Sequence, residues 1–197
     1  MMRIITGKAR GTQLKAPAGE TTRPTSERAK EAIFSMLQFE LQGTEVLDLF
    51  AGSGQMGLEA LSRGAAHAVF CDSSKSAQQI IQSNALKTKL ALQCEIFSND
   101  YLALLKSFRK KRKFNIVFLD PPYALGALPK ALRALIDCDL LSDGAKLICE
   151  SGAENDVFAS DEALRSHFEV LKVSHYGFAY VTVLAYHAKA EEEVRNV

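Results

Sequence analysis

No stretch of this chain reaches the ~18 consecutive apolar residues that a membrane-spanning helix needs. Its first residues, Met1-Met2-Arg3-Ile4-Ile5-Thr6-Gly7-Lys8, contain no long apolar core, so the pattern of a secretory signal is missing. There is no Cys-x-x-Cys pair. Cys71, Cys94, Cys138 and Cys149 are scattered, which argues against a zinc site and against a disulfide framework. Most of them sit in or beside apolar runs, where cysteine serves as a small core residue. A reducing, cytoplasmic setting is expected, and no metal. Internal repeats and low-complexity tracts are also lacking.

What is present is the material of one globular domain. The chain has 197 residues, of which 47% are hydrophobic. The net charge of +1 conceals an uneven distribution. Arg3, Lys8, Arg10, Lys15, Arg23, Arg28 and Lys30 crowd the N-terminal segment, where the acids are Glu20 and Glu27. Arg109-Lys110-Lys111-Arg112-Lys113 is an unbroken basic run, and Glu191-Glu192-Glu193 offsets these in the sum. Basic clusters attract phosphate backbones. The 109–113 run fits that reading and that of a solvated loop equally well.

Between residues 45 and 150 short apolar runs alternate with helical patterns. Strands are expected at Val46–Phe50, Ala68–Cys71, Gln93–Phe97, Asn115–Leu119 and Lys146–Glu150. Helices are expected at Gln55–Ser62, Lys75–Lys87, Tyr101–Phe108 and Ala127–Ile136. This alternation predicts βαβ units, hence an α/β fold with a parallel sheet covered on both faces. Such sheets bind ligands at the carboxyl ends of their strands. His167–Val173 and Tyr180–Tyr186 are rich in β-branched and aromatic residues and predict an antiparallel hairpin closing one edge. At the other end, Ile4-Ile5 and Thr12-Gln13-Leu14 flank Gly7 and Gly11 and suggest a small hairpin. Thr25 is expected to cap a helix whose apolar face carries Ala29, Ile33, Met36 and Leu37. The organisation predicted is an extension over residues 1–24 and a main domain over 25–197.

The first expected strand ends in Asp48-Leu49-Phe50-Ala51-Gly52-Ser53-Gly54-Gln55-Met56-Gly57. Gly52, Gly54 and Gly57 fit the G-x-G-x-x-G pattern that cradles dinucleotides, and that pattern alone does not separate a dinucleotide from S-adenosylmethionine. Asp48 favours the latter, because a carboxylate at the turn suits an ammonium group and would repel a pyrophosphate. Phe50 belongs to the same turn. Asp72, ending the next strand, is placed to accept ribose hydroxyls. Asn99-Asp100 follows the third strand, and either side chain could read the adenine edge of the donor; Asp100 better suits a helix cap and Asn99 the adenine contact.

The fourth strand, Ile116 to Leu119, ends in Asp120-Pro121-Pro122-Tyr123. Neither proline carries an N–H, so the carbonyls of the turn lack a local donor. With the Asp120 carboxylate and the Tyr123 ring they form a set of acceptors under a stacking platform, suited to a planar base bearing an exocyclic amine. A nicotinamide enzyme has no evident use for such a turn. Asp120 and the Pro121 carbonyl would accept the amine hydrogens and localise its lone pair. Tyr123 would fix the plane of the base, and Asp120 or water would take the proton.

At these positions the chain resembles the bacterial RsmD family, ribosomal RNA methyltransferases of the small subunit. The resemblance runs through Arg3-Ile4-Ile5-Thr6-Gly7-Lys8-Ala9-Arg10-Gly11, Thr22-Arg23-Pro24-Thr25-Ser26-Glu27-Arg28, the glycine turn, Leu58-Glu59-Ala60-Leu61-Ser62-Arg63-Gly64-Ala65, and Phe118 to Tyr123. It implies a class I methyltransferase, Rossmann-like fold with a mostly parallel seven-stranded sheet. It also implies S-adenosylmethionine as donor and guanine N2 of 16S rRNA (in this family, guanine 966) as acceptor. By the same resemblance Arg23 and Thr25 lie over the donor pocket, and the hairpin residues Arg3, Lys8, Arg10 and Lys15 contact RNA. The substrate would be the RNA within the small subunit or an assembly intermediate, and the enzyme a monomer. Relatives often carry another basic residue just after the Arg-Gly pair; here Thr12-Gln13 stands there, which implies a weaker or shifted RNA contact. The competing expectations are an adenine-N6 methyltransferase on DNA or RNA, an NAD-dependent oxidoreductase, and an RNA-binding module with a relic donor pocket.

Overall fold

Strand and helix alternate from Glu45 to Ser151 in the computed structural model, which describes residues 2–16, 27–122, 126–153 and 157–188. Helix α1 (Glu27–Met36) comes first and buries Ala29, Ile33 and Phe34. Then follow β1 (Glu45–Asp48), α2 (Gln55–Ser62), β2 (His67–Asp72), α3 (Lys75–Lys87), β3 (Cys94–Ser98), α4 (Tyr101–Ser107), β4 (Phe114–Leu119), α5 (Ala127–Asp137) and β5 (Leu141–Ser151). A short α6 (Glu162–Arg165) leads into β6 (Phe168–Tyr176) and β7 (Ala179–Tyr186). Side-chain acceptors start three of these helices: Ser74 takes the Ala77 N–H, Asp100 the Ala103 N–H and Asp161 the Leu164 N–H.

The seven strands form one sheet in the order β3-β2-β1-β4-β5-β7-β6. The pairs from β3 to β5 are parallel, and β7 pairs antiparallel with both β5 and β6. Both faces are covered. One packs Leu47, Val69 and Val117 against Leu104 of α4 and Leu132 of α5. The other packs Val46, Phe70 and Phe118 against Phe34 of α1, Leu58 of α2 and Ile81 of α3. The chain steps outward from β1 to β3, then crosses to the other side of β1 for β4. The crevice between the carboxyl ends of β1 and β4 is therefore the topological switch point, where open α/β sheets bind ligands.

Three details depart from the sequence expectation. Strand β5 begins at Leu141, earlier than Lys146, with a register shift against β4 between Phe114 and Ile116 and Gly144 at φ 72°. The C-terminal hairpin turns tightly at Gly177-Phe178. The N-terminal segment is narrower than a regular hairpin. A single bridge joins Arg3 and Gln13, flanked by Ile4 N–H to the Thr12 carbonyl at 3.0 Å and Leu14 N–H to the Met2 carbonyl at 2.9 Å. The amides of Ile5 and Thr6 turn away from it, to the Glu59 carboxylate of α2 at 2.7 and 3.0 Å. Among the described residues no helix is long and apolar enough to cross a membrane.

Candidate active site

Each of the five parallel strands has a carboxylate at its carboxyl end: Asp48, Asp72 and Glu150 within the last two strand residues, Asp100 and Asp120 within two residues after the strand. They share one rim because parallel strands place all their carboxyl ends together. The glycine turn rises from this rim between β1 and α2, and its glycines do different work. Gly52 has φ 52°, and a Cβ there would meet nothing within 4 Å, so its bare side faces open space. Gly54, at φ 76°, takes the left-handed position that starts α2. At Gly57 a Cβ would lie 2.3 Å from Cε1 of Phe70, so its role is close packing of α2 on β2.

Asp48 is buried beneath this turn and accepts the Gly57 N–H at 3.0 Å. Burial raises its pKa to about 7; the Gly57 hydrogen bond opposes the shift, and the negative charge of Asp72 adds to it. Such a carboxyl sits close to neutrality and gains from a cation brought beside it. Asp72 braces the turn, with Oδ2 accepting from Gly52 N at 2.8 Å and Oδ1 from Ser74 N at 2.9 Å. Each oxygen keeps a second lone pair for a hydroxyl donor. Asp100 caps α4, as expected, while Asn99 is exposed beside the Asp72 strand end, its N–H donating to the Asp72 carbonyl at 3.1 Å. Phe50 packs on Tyr101 with ring centroids 5.0 Å apart, walling this side of the rim. A bare backbone turn, a buried carboxylate and a second carboxylate with free lone pairs fit an adenosyl donor bearing an ammonium group.

On the far side of the crevice, Asp120 follows Leu119. Pro121 is buried and Pro122 exposed. The register pairs Asp48 with Phe118 and Leu119 with Cys149, which puts the Asp120-Pro121-Pro122 turn beside the glycine turn and Asp120 level with Glu150. Desolvation, then the like charge of Glu150, then that of Asp48, hold the Asp120 pKa above the ordinary carboxylate range. More than a third of the residue meets solvent, so water offsets part of the desolvation and the neighbouring charges keep the shift upward. A groove lined by Pro121, Pro122, Leu128, Glu150 and Ser151 opens at this turn. Tyr123 lies outside the described residues, as do Arg23 and Thr25.

The basic residues of the N-terminal segment split into two places. Arg3 pairs with Glu27 at 3.1 Å, and the backbone of Lys15 is held by Asn84, whose amide also donates to the Ser53 carbonyl of the glycine turn at 2.9 Å. These residues stand near the donor turn. Lys8 and Arg10 sit at the other end of the segment, where Lys8 N–H meets the Ser62 carbonyl and its Nζ meets Gln93, just before β3. That is the amino rim of the sheet, away from Asp120. In the 109–113 run, Arg112 pairs with Glu95 and Glu45 and stacks on Phe108, and Lys113 pairs with Asp139, so both serve the fold.

Sequence reasoning missed the clamp beneath this segment. Glu59 is fully buried and takes the Ile5 and Thr6 amides, Arg63 Nε at 2.8 Å and, at 3.8 Å, Lys30 Nζ. Ser62 Oγ accepts from Ala9 N and donates to the Thr6 carbonyl. Glu150 was missed as well; a carboxylate closing the strand after the Asp-Pro-Pro turn was the available signal.

Comparison with known proteins agrees with this fold. A family model described as Conserved hypothetical protein 95 matches residues 2–183. "Putative rRNA methyltransferase YlbH" of Bacillus subtilis is 41% identical over 155 residues, 78% of this chain and 84% of that protein. "Ribosomal RNA small subunit methyltransferase D" of Escherichia coli is 37% identical over 154 residues, 78% of this chain and 76% of that protein. The solved structure of "Putative methyltransferase yhhF" from Escherichia coli superposes with a TM-score of 0.83 at 32% identity, covering 95% of this chain and 98% of that one. With its methyltransferase fold and near-complete match, the chain belongs to this family, the RsmD family of methyltransferases.

Proposed function

We propose that this chain transfers a methyl group from S-adenosylmethionine to the exocyclic N2 of a guanine in 16S rRNA of the small ribosomal subunit. The observation that carries this reading is the juxtaposition of two turns at the β1/β4 switch point: a glycine turn over buried Asp48, and Asp120-Pro121-Pro122 on the adjacent strand.

When bound, S-adenosylmethionine supplies an electrophilic methyl on a cationic sulfur. Asp48 would take the ammonium group, Asp72 the ribose hydroxyls and Asn99 the adenine edge, and the bare side of Gly52 and the Phe50 ring would line the ligand's place. By the family resemblance Arg23 and Thr25, outside the described residues, would belong to the donor site. An exocyclic amine is a poor nucleophile because its lone pair is shared with the ring. Asp120 and the Pro121 carbonyl accept its hydrogens, hold the lone pair out of conjugation and stabilise the positive charge that develops on nitrogen. Pro122 would border the base, and the Tyr123 ring, outside the described residues, is the group the sequence offers for stacking on it. The raised pKa of Asp120 suits a group that accepts a proton near neutral pH. Unstacking the base costs roughly a few kcal/mol, offset by RNA contacts of the extension over residues 1–24, with Arg3 and Lys15 on the donor side and Lys8 and Arg10 at the tip.

The test is methyl transfer from labelled S-adenosylmethionine to small-subunit particles from cells lacking the enzyme, followed by digestion to nucleosides. N2-methylguanosine is the expected product. N6-methyladenosine would replace the guanine assignment, and no transfer to RNA would refute the reading.

A further inference from the structure

A second charged surface lies on the rim opposite the acceptor turn. Helices α3 and α4 each follow a strand of the parallel sheet and run back to its amino edge, so their C-termini emerge there on either side of edge strand β3. The sequence is free of acids from Ser73 to Cys94 and again from Tyr101 to Leu119. What emerges is therefore cationic: Lys87 and Lys89 from α3, Lys106, Arg109 and Lys110 from α4, all exposed. Of the carboxylates on the same edge, Glu45, Glu95 and Asp139 are taken up by Arg112 and Lys113, and exposed Asp137 at the end of α5 is a lone acid against the five cations. Among the described residues the five exposed cations have no ion-pair partner. Lys111, Arg112 and Lys113, with Glu45, Glu95 and Phe108, border an open hollow of about 480 Å³.

A helix C-terminus favours a cation in its last turn, which accounts for Lys87 and Lys106. It does not account for Lys89 and Lys110. Both hold left-handed backbone, with φ of 61° and 56°, at positions after a helix where glycine is the residue of least strain. A lysine there carries its charge just beyond the end of the helix.

We infer that this rim, centred on Lys87, Lys89, Lys106, Arg109 and Lys110, is a second contact surface for the phosphate backbone of the substrate RNA. The inference rests on the RNA-methyltransferase reading above. The catalytic rim gathers five carboxylates and repels a polyanion, so steering and holding RNA need cations elsewhere. Strand β4 has six residues, so the two rims lie ~20 Å apart, less than one turn of a nucleic acid duplex. One folded RNA spans both.

The test compares the full chain with a variant carrying Lys87→Glu, Lys89→Gly, Arg109→Glu and Lys110→Gly. Glycine suits the left-handed positions, so the fold is retained, and an unchanged thermal midpoint checks it. For the small-subunit particle the expected result is KM raised at least ~10-fold at fixed salt, with kcat and donor affinity within about twofold, and a slope of log affinity against log salt reduced by ~2–3. A folded variant with unchanged KM and salt slope overturns the inference. So does a variant that loses binding to anionic vesicles or to an acidic protein while RNA affinity holds. RNA binding by fluorescence anisotropy needs no turnover, so this outcome stays distinguishable from failure of the methyltransferase reading, which the wild-type transfer assay reports.

Discussion

The amide of Gly57 donates to buried Asp48 across 3.0 Å, tying the first turn of α2 to the end of β1. The same carboxyl has its pKa raised from 3.8 to about 7, mainly by burial. A raised carboxylate pKa means that the folded chain holds a proton the unfolded chain releases. The contribution to stability is then most favourable below pH 4, declines as pH rises from about 4 to 7, and is flat above. The decline amounts to ~4 kcal/mol at most. Asp48→Asn keeps an acceptor for Gly57 and removes the charge. The ligand-free variant should be more stable than wild type at pH 8 and show little gain at pH 4.5, by thermal unfolding across pH. Its donor affinity should fall at least tenfold by calorimetry. An equal stability gain at both pH values would refute the assignment.

The Glu59 cluster makes a prediction of opposite kind. Glu59→Ala would strip the Ile5 and Thr6 amides of their acceptor and leave Lys30 and Arg63 without their carboxylate. Desolvation already lowers the Lys30 pKa, and Glu59 is the first group opposing that. Removing one partner of a buried pair costs about 3–5 kcal/mol, which in a chain of this size lowers the thermal midpoint by roughly 10 °C. Proteolysis should reach residues 2–16 first. Adding Lys30→Met should recover part of the loss. A midpoint within 2 °C of wild type for the single variant would show that the clamp is not where the stability lies.

Much of the α/β alternation was legible because it depends on local patterns. Lys75–Lys87 carries its own cap at Ser74, and Gln55–Ser62 follows a turn glycine, so both helices fall on the residues the spacing predicts. The turns after β1 and β4 were legible because each breaks a strand with residues that cannot continue it. Glu59 was not. In sequence it is an acid in mid-helix, the usual mark of a solvated face, and only the N-terminal segment folding back from more than 50 residues away buries it. The same non-local contact replaces the expected hairpin ladder with bonds to a side chain. The early start of β5 was hidden because Ser142-Asp143-Gly144 reads as a turn, and only pairing with β4 makes it strand.

The glycines of the donor turn should separate in mutagenesis. Gly57→Ala places a carbon 2.3 Å from the Phe70 ring, which must shift. Overpacking of this kind costs about 1–3 kcal/mol, and Phe70→Leu should relieve it. Gly52→Ala meets no atom within 4 Å but fills the space proposed for the ligand. It should cost ~1 kcal/mol of left-handed strain and remove most donor binding. Chemical denaturation and calorimetry on both variants check this; donor affinity retained in Gly52→Ala would move the ligand elsewhere.

Asp120 tests the chemistry itself. Asp120→Asn keeps the shape of the turn and loses the charge, so transfer should be abolished while donor affinity stays within about twofold of wild type. In the wild type the working form is the carboxylate, and its raised pKa means that the ionised fraction grows as pH rises. At saturating RNA, kcat should therefore increase with pH through and above neutrality. Glu150 is the second cause of that raised pKa, after desolvation. Glu150→Gln keeps the end of β5 and removes the like charge, so the acidic limb of the profile should move to lower pH, by less than the whole shift because desolvation remains. An Asp120→Asn variant that still turns over would remove Asp120 from the reaction. A Glu150→Gln profile superposing on wild type would show that the Glu150 charge does not reach the Asp120 carboxyl and would leave desolvation as the cause of its raised pKa.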